Sequence, residues 1–121
     1  MPGELEKLLG PLESEVLEIL WKLNRPASVR QVLDELNRGR TPPLAYTTVM
    51  TVMSRLAEKD VLRRQPAGRS YVYVAAVSNA AELAVRNVVR DFGAAAVAHL
   101  VDAARADPKL LKRLTRLVNE E

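Results

Sequence analysis

"LAYTTVMTVMSRLAEKDVLRRQPAGRSYVYV", residues 44–74, changes its hydrophobic period half-way along. From Tyr46 to about Lys59, the residues Val49, Val52, Met53 and Leu56 recur at spacings of three and four, which predicts a helix with one buried stripe. At about 100° per residue, Thr47, Thr51, Ser54, Arg55 and Glu58 fall on the opposite side, with Thr48 at the flank and Tyr46 at the helix start. Threonine is an indifferent helix former, stiff at its branched carbon and apt to bond the backbone. Three of them on an outward face therefore suggest a role outside the helix. After Leu62 the period shortens. Two extended runs flank Pro66-Ala67-Gly68, a turn signal, and the second is rich in Tyr and Val. They predict a β-hairpin with Arg64, Gly68 and Arg69 at its tip.

Upstream, Leu12, Val16, Ile19, Leu20 and Leu23 form the stripe of a helix from Pro11 to about Leu23, with Trp21 beside it. Asn24 and Pro26 break the pattern. Ser28 followed by Gln31 is a capping-box start for a second helix carrying Val29, Val32, Leu33 and Leu36. That helix should stop near Gly39, before Thr41-Pro42-Pro43. Three short helices followed by a two-stranded hairpin is the winged variant of the helix-turn-helix, in which the third helix enters a major groove.

The composition shifts around Ser78, and a domain boundary is expected there, giving residues 1–77 and 78–121. Asn79 with Glu82 opens a fourth helix bearing Leu83, Val85, Val88, Val89 and Phe92, which ends at Gly93. A fifth segment carries Val97, Leu100, Val101 and Ala104. Asp107-Pro108 then starts a sixth helix with Leu110, Leu111, Leu114, Leu117 and Val118. Of residues 78–121, 23 are apolar, yet about 44 residues lie near the lower limit for independent stability. The simplest use for Leu83, Val88, Phe92, Val97, Leu100, Val101, Leu110, Leu114 and Leu117 is burial against an identical copy. The alternative is that they fold back on the hairpin domain. The fold class is thus mainly α with a small β-hairpin: a winged helix-turn-helix DNA-binding domain followed by a three-helix dimerisation domain.

At 121 residues with five aromatics, the core must be built largely from Val, Leu, Ala and Met. No run reaches the roughly 18 apolar residues of a membrane helix, and the N-terminus lacks the pattern of a secretory signal. The absence of cysteine fits a cytoplasmic protein and removes disulfides and thiolate metal sites. The single histidine, His99, lies beside Leu100 in an apolar segment with no nucleophile to activate and too few partners for zinc. No enzyme activity, metal or cofactor is expected.

Charge is unevenly spread. Residues 1–35 carry four basic side chains against seven acids, whereas Arg38–Arg69 carry seven against two. A basic middle is the footprint of a polyanion-binding surface. Threonine suits the reading of duplex DNA, since its hydroxyl bonds base edges or phosphates and its methyl packs on that of thymine. Tyr46, Thr47, Thr48, Thr51, Arg55, Arg64 and Arg69 are therefore the candidate DNA contacts. Two rival readings are a winged helix that binds a protein partner, and a repressor with a small-molecule pocket between its domains.

The stretches "LGPLESEVLEILWKL", "SVRQVLDELN", "LAYTTVMTVMSRLAEKDVLRR", "GRSYVYVA" and, more loosely, "RDFGAAAVAHLV" resemble the penicillinase repressor family, the BlaI/MecI-type winged-helix regulators with the copper-responsive CopY repressors as a branch. The resemblance spans about residues 9–101. It implies a homodimeric repressor binding a dyad operator, classically of β-lactamase or penicillin-binding-protein genes and hence of antibiotic resistance. It also implies that Thr47, Thr48 and Thr51 contact the operator, with Arg55 and Arg69 near the DNA backbone. Family repressors are relieved when a membrane sensor protease triggers cleavage in the dimerisation domain, at an Asn–Phe bond in the staphylococcal members. That bond aligns with His99–Leu100, so the pair itself is not kept. The paired cysteines of the copper branch are missing, which excludes copper sensing by that route.

Overall fold

The computed structural model describes residues 3–120. Its elements are α1 (Glu4–Leu8), α2 (Pro11–Leu23), α3 (Val29–Asn37), α4 (Tyr46–Glu58), β1 (Leu62–Ala67), β2 (Ser70–Ala75), α5 (Ala80–Phe92), α6 (Ala94–Arg105) and α7 (Pro108–Val118). The first, second and third helices of the sequence reading are α2, α3 and α4. The short α1 has no counterpart there, because five residues hold too little of a helical period to be read. It nevertheless buries Leu5.

The chain divides into two compact units after Leu83. In the first, α2, α3 and α4 close around Val16, Leu17, Leu20, Val32, Leu36, Val49, Met53 and Leu56, all buried, and the hairpin adds Leu62 and Tyr73. The inner stripe of α4 contains Val49, Met53 and Leu56 as expected, with Val52 half-buried. On α2 the buried set is Ser14, Val16, Leu17 and Leu20, while Leu12, Ile19 and Leu23 are half-buried. This helix packs on α1, α3, α4 and β2, so its buried arc is wider than a single stripe and takes in Leu17. Ser14 is tolerated there because its hydroxyl donates to the Gly10 carbonyl at 2.9 Å.

Local signals set the helix starts. Ser28 Oγ accepts from the Gln31 N–H at 3.1 Å and Gln31 Oε1 accepts from the Ser28 N–H at 2.8 Å, a complete capping box worth about 1 kcal/mol. Asn79 caps α5 through the Glu82 N–H at 2.9 Å, and Glu82 reaches back to the Ser78 N–H at 3.1 Å. Asp107 caps α7 through the N–H groups of Lys109 and Leu110. Helix α4 differs, since the side chain of its N-cap, Ala45, cannot hydrogen-bond. Its entrance is held from outside. Asn37 Nδ2 donates to the Leu44 carbonyl at 3.1 Å, and Asn37 Oδ1 accepts from the Leu44 N–H at 2.8 Å. Arg40 braces the same loop: its Nη2 donates to both carboxylate oxygens of Glu15, at 2.7 and 2.9 Å, and its Nε donates to the Leu36 carbonyl.

The hairpin is antiparallel, with Leu62 opposite Ala75 and Ala67 opposite Ser70. The turn is therefore the two residues Gly68-Arg69, and Pro66 and Ala67 belong to β1. Only Gly68 of the two takes a positive φ, at 62°, the pattern of a type II′ turn in which glycine carries no steric cost. On its other side β2 bridges to Ala27, with Ala27 N–H to Tyr73 O at 3.0 Å and Tyr73 N–H to Ala27 O at 2.8 Å. Trp21 Nε1 donates to the Val77 carbonyl at 2.7 Å and fixes the chain leaving β2 onto α2. The hairpin is thus tied to the α2–α3 connection at Ala27, and the chain that follows it to α2.

Leu83 is 1% exposed and packs into the core of the first unit, along with the half-buried Ala80. The division at Leu83 lies six residues beyond the expected boundary of 77/78, because the first turn of α5 completes that core. In the second unit α5 ends at Gly93, where φ is +55°. There α6 and α7 pack on each other. Ala104 is the only residue buried among the described residues of this unit.

Candidate nucleic-acid interface

On α4 the burial alternates as the helical period dictates. Val49, Met53 and Leu56 are buried, while Tyr46, Thr47, Thr48, Thr51 and Arg55 are exposed. Thr47, Thr51 and Arg55 sit one turn apart along one face, so two hydroxyls and a guanidinium project in a row from a helix anchored by its other side. Exposure of Thr48 places it at the edge of the same row. Met50 was assigned no outward role in the sequence reading, yet it is 41% exposed and lies between Tyr46 and Ser54 on the flank of this face.

The wing supplies charge. Arg69 is exposed at the turn itself. Arg64 is not at the tip: it stands mid-strand opposite Tyr73, because the strands pair out to Ala67 and Ser70 and only two residues remain for the turn. Neither Arg55, Arg63, Arg64 nor Arg69 has an ion-pair partner among the described residues, whereas Arg40 is paired to Glu15 and Arg38 to Glu35. Cations on α4 and the wing are therefore available to an external anion. The basic residues of the α3–α4 loop, counted with them in the sequence, are partly neutralised internally.

Between α4 and the wing runs a groove of about 500 Å³. Ser28, Val29 and Arg30 line it from the start of α3, Tyr46, Met50 and Ser54 from α4, Arg64 from β1, and Ser70, Tyr71 and Tyr73 from β2. No carboxylate is among them. Two stacked pairs stand in it. The Arg30 guanidinium carbon is 5.3 Å from the centroid of the Tyr46 ring, and that of Arg64 is 4.6 Å from the Tyr71 ring. Exposed cation–π pairs contribute only about 0.5–1 kcal/mol each, which is enough to bias a rotamer. Strand alternation puts Arg64, Tyr71 and Tyr73 on one face of the hairpin. Tyr73 is buried under the core, and Tyr71, nearer the tip, is 47% exposed. Nothing local could have found Arg30, since its neighbour Tyr46 lies sixteen positions away and the pairing arises only from the packing of α3 on α4.

The second unit presents a different surface. Val88, Phe92, Val97, Leu100, Val101, Leu110 and Leu117 are all exposed, Phe92 at 66%, and Leu114 is half-buried. Leu83 departs from this set, because it is buried in the first unit's core. His99 and Leu100 are exposed and lie in the middle of helix α6. Among the described residues no group of three or more His, Asp or Glu side chains is placed to hold a metal ion, and no helix is long and apolar enough to cross a membrane.

A family model described as the penicillinase repressor matches residues 9–120. The chain is 39% identical over 107 residues to the transcriptional regulator BlaI of Mycobacterium tuberculosis strain CDC 1551 / Oshkosh, covering 82% of this chain and 75% of the relative. It is identical to the same degree to the transcriptional regulator BlaI of strain ATCC 25618 / H37Rv.

Proposed function

This chain belongs to the penicillinase repressor family and is a transcriptional repressor rather than an enzyme, and from that premise we propose that it acts in the cytoplasm as a homodimer on a dyad operator. Each subunit lays α4 in the major groove of one half-site. Thr47, Thr48 and Thr51 meet base edges and nearby phosphates, and Tyr46, Arg55, Arg64 and Arg69 hold the flanking backbone. The observation that carries this reading is the exposed row of Thr47, Thr51 and Arg55 on a helix whose opposite side buries Val49, Met53 and Leu56. The cations around it lack carboxylate partners among the described residues, which argues against a protein-contact role for the wing.

Dimerisation is assigned to the second unit. An isolated subunit leaves Val88, Phe92, Val97, Leu100, Val101, Leu110 and Leu117 in water, a surface of the kind that marks an association site. A two-fold dimer sets two α4 helices one helical turn of DNA apart, or a multiple of it, so the operator is an inverted repeat. The regulated genes are of the β-lactam or cell-wall stress type. Relief by proteolysis, set off by a membrane sensor protease, falls in this reading at His99–Leu100.

One observation favours a second route of release, by a small molecule or another non-proteolytic signal. The His99–Leu100 bond lies inside α6, where the backbone must unwind before it can extend through a protease cleft. Footprinting on the protein's own promoter tests the repressor reading. It should reveal two protected half-sites related by a dyad; a single asymmetric site, or none, refutes it. Sequencing the N-termini of the fragments formed in induced cells tests the release route, since a new terminus at Leu100 is expected only for proteolysis there.

A further inference from the structure

Two arginines in the groove between α4 and the wing share one arrangement. Arg30 lies over the ring of Tyr46 at 5.3 Å and Arg64 over that of Tyr71 at 4.6 Å. Neither has a carboxylate partner among the described residues, and no acid lines the groove they share. Contrast the larger groove beside α2 and α3, where Glu15, Glu18 and Glu35 face Lys22, Arg38 and Arg40 and the charges offset one another. A guanidinium stacked on a tyrosine keeps its N–H edge free, and that edge matches the fork of phosphate oxygens. The hydroxyl of Ser54 adds a neutral donor to the same lining.

From this we infer that the groove is the seat of one DNA strand, with Arg30 and Arg64 as a two-point phosphate clamp oriented by Tyr46 and Tyr71. The inference rests on the DNA-binding reading above and extends it to Arg30, a residue on α3 outside the recognition helix and the wing. Tyr46 and Tyr71 are positioning residues here: they hold the guanidinium planes so that less side-chain freedom is lost on binding. Placing the strand there leaves the adjacent Thr47 and Thr51 turned toward the base edges. Met50, apolar and exposed at the groove wall, then lies against the sugar side of that strand.

Salt dependence tests the clamp on the full-length protein, using fluorescence anisotropy with a labelled duplex of about 30 base pairs and arbitrary sequence, since phosphate contacts do not depend on sequence. Each phosphate contact contributes about 0.9 to the slope of log Kobs against log[salt]. Arg30→Gln and Arg64→Gln should each reduce the slope by about one and weaken binding about eight- to ten-fold at 0.1 M salt, and the double variant should lose about two. Arg30→Lys and Arg64→Lys keep the charge and should keep the slope, which separates lost contacts from lost folding. Arg25→Gln, at the base of the wing and outside the groove, should leave the slope alone. Tyr71→Phe should match the parent, and Tyr71→Leu should weaken binding several-fold with an unchanged slope. A parent protein that binds duplex while Arg30→Gln keeps the full slope overturns the clamp and leaves the repressor reading standing. Tyr71→Leu binding like the parent overturns the positioning role. A parent that binds no duplex at any salt overturns both readings together.

Discussion

Asn37→Ala should loosen the entrance of helix α4. Helix α4 starts at Tyr46 behind an alanine that caps nothing, and the Asn37 amide satisfies both backbone groups of Leu44 just before it, at 2.8 and 3.1 Å. Leu44 is half-buried, so water replaces these partners only in part. Each such bond contributes about 1 kcal/mol net, and leaving the partner unsatisfied raises the cost, giving about 2 kcal/mol for the pair. For a unit of roughly 80 residues that corresponds to a fall in Tm of about 8–16 °C. Asn37→Asp is the diagnostic companion. Its carboxylate still accepts from the Leu44 N–H but cannot donate to the Leu44 carbonyl, so it should lose about half as much. Urea unfolding followed by Trp21 fluorescence is the assay, because this lone tryptophan belongs to the first unit and its indole N–H is bonded to Val77. If Asn37→Ala cost less than about 0.5 kcal/mol, or Asn37→Asp cost as much as Asn37→Ala, the clamp would not be what holds α4 in place.

Three other outcomes are expected. Thr51→Ala should lose about 1–3 kcal/mol of operator binding and relax preference at one base pair, while folding stability holds or rises slightly because alanine is the better helix former; a competition assay against single-base operator variants reads the first effect and urea unfolding the second. Arg69→Gln should weaken binding to all sequences alike and lower the salt slope by about one, as measured by anisotropy on specific and arbitrary duplexes; altered base preference with an unchanged slope would reverse the assigned role. Leu117→Glu puts a charge on the exposed apolar face of α7 and should dissociate the dimer in sedimentation without shifting the Trp21-monitored unfolding of the first unit; an unchanged dimer would remove α7 from the interface.

Legibility in the sequence followed the range of the interactions. The capping pairs Ser28–Gln31, Asn79–Glu82 and the Asp107 cap span three residues or fewer, and all three occur in the structure. The outward row on α4 needs only the helical angle and the identity of the residues. Sequence and structure part where pairing between elements decides the outcome. Pro66-Ala67-Gly68 reads as a turn and so places Arg64 at the hairpin tip, but ladder pairing extends to Ala67 and Ser70 and moves the turn to Gly68-Arg69. Leu83 fits the spacing of the exposed stripe of α5, yet it is buried in the core cluster of the first unit together with Val77.

By itself the sequence determined the element types, their caps and the hydroxyl-bearing face of α4, since side-chain spacing against a 3.6- or two-residue period is a local property of the chain. It determined as well that the middle of the chain is basic. Which of those charges remain free was a tertiary decision, because Arg40 finds Glu15 across 25 positions while Arg30 and Arg64 find tyrosine rings instead of carboxylates. The groove between α4 and the wing was decided there too: its walls come from three separate segments, and only their packing on a common core turns residues 28–30, 46–54 and 64–73 into one surface.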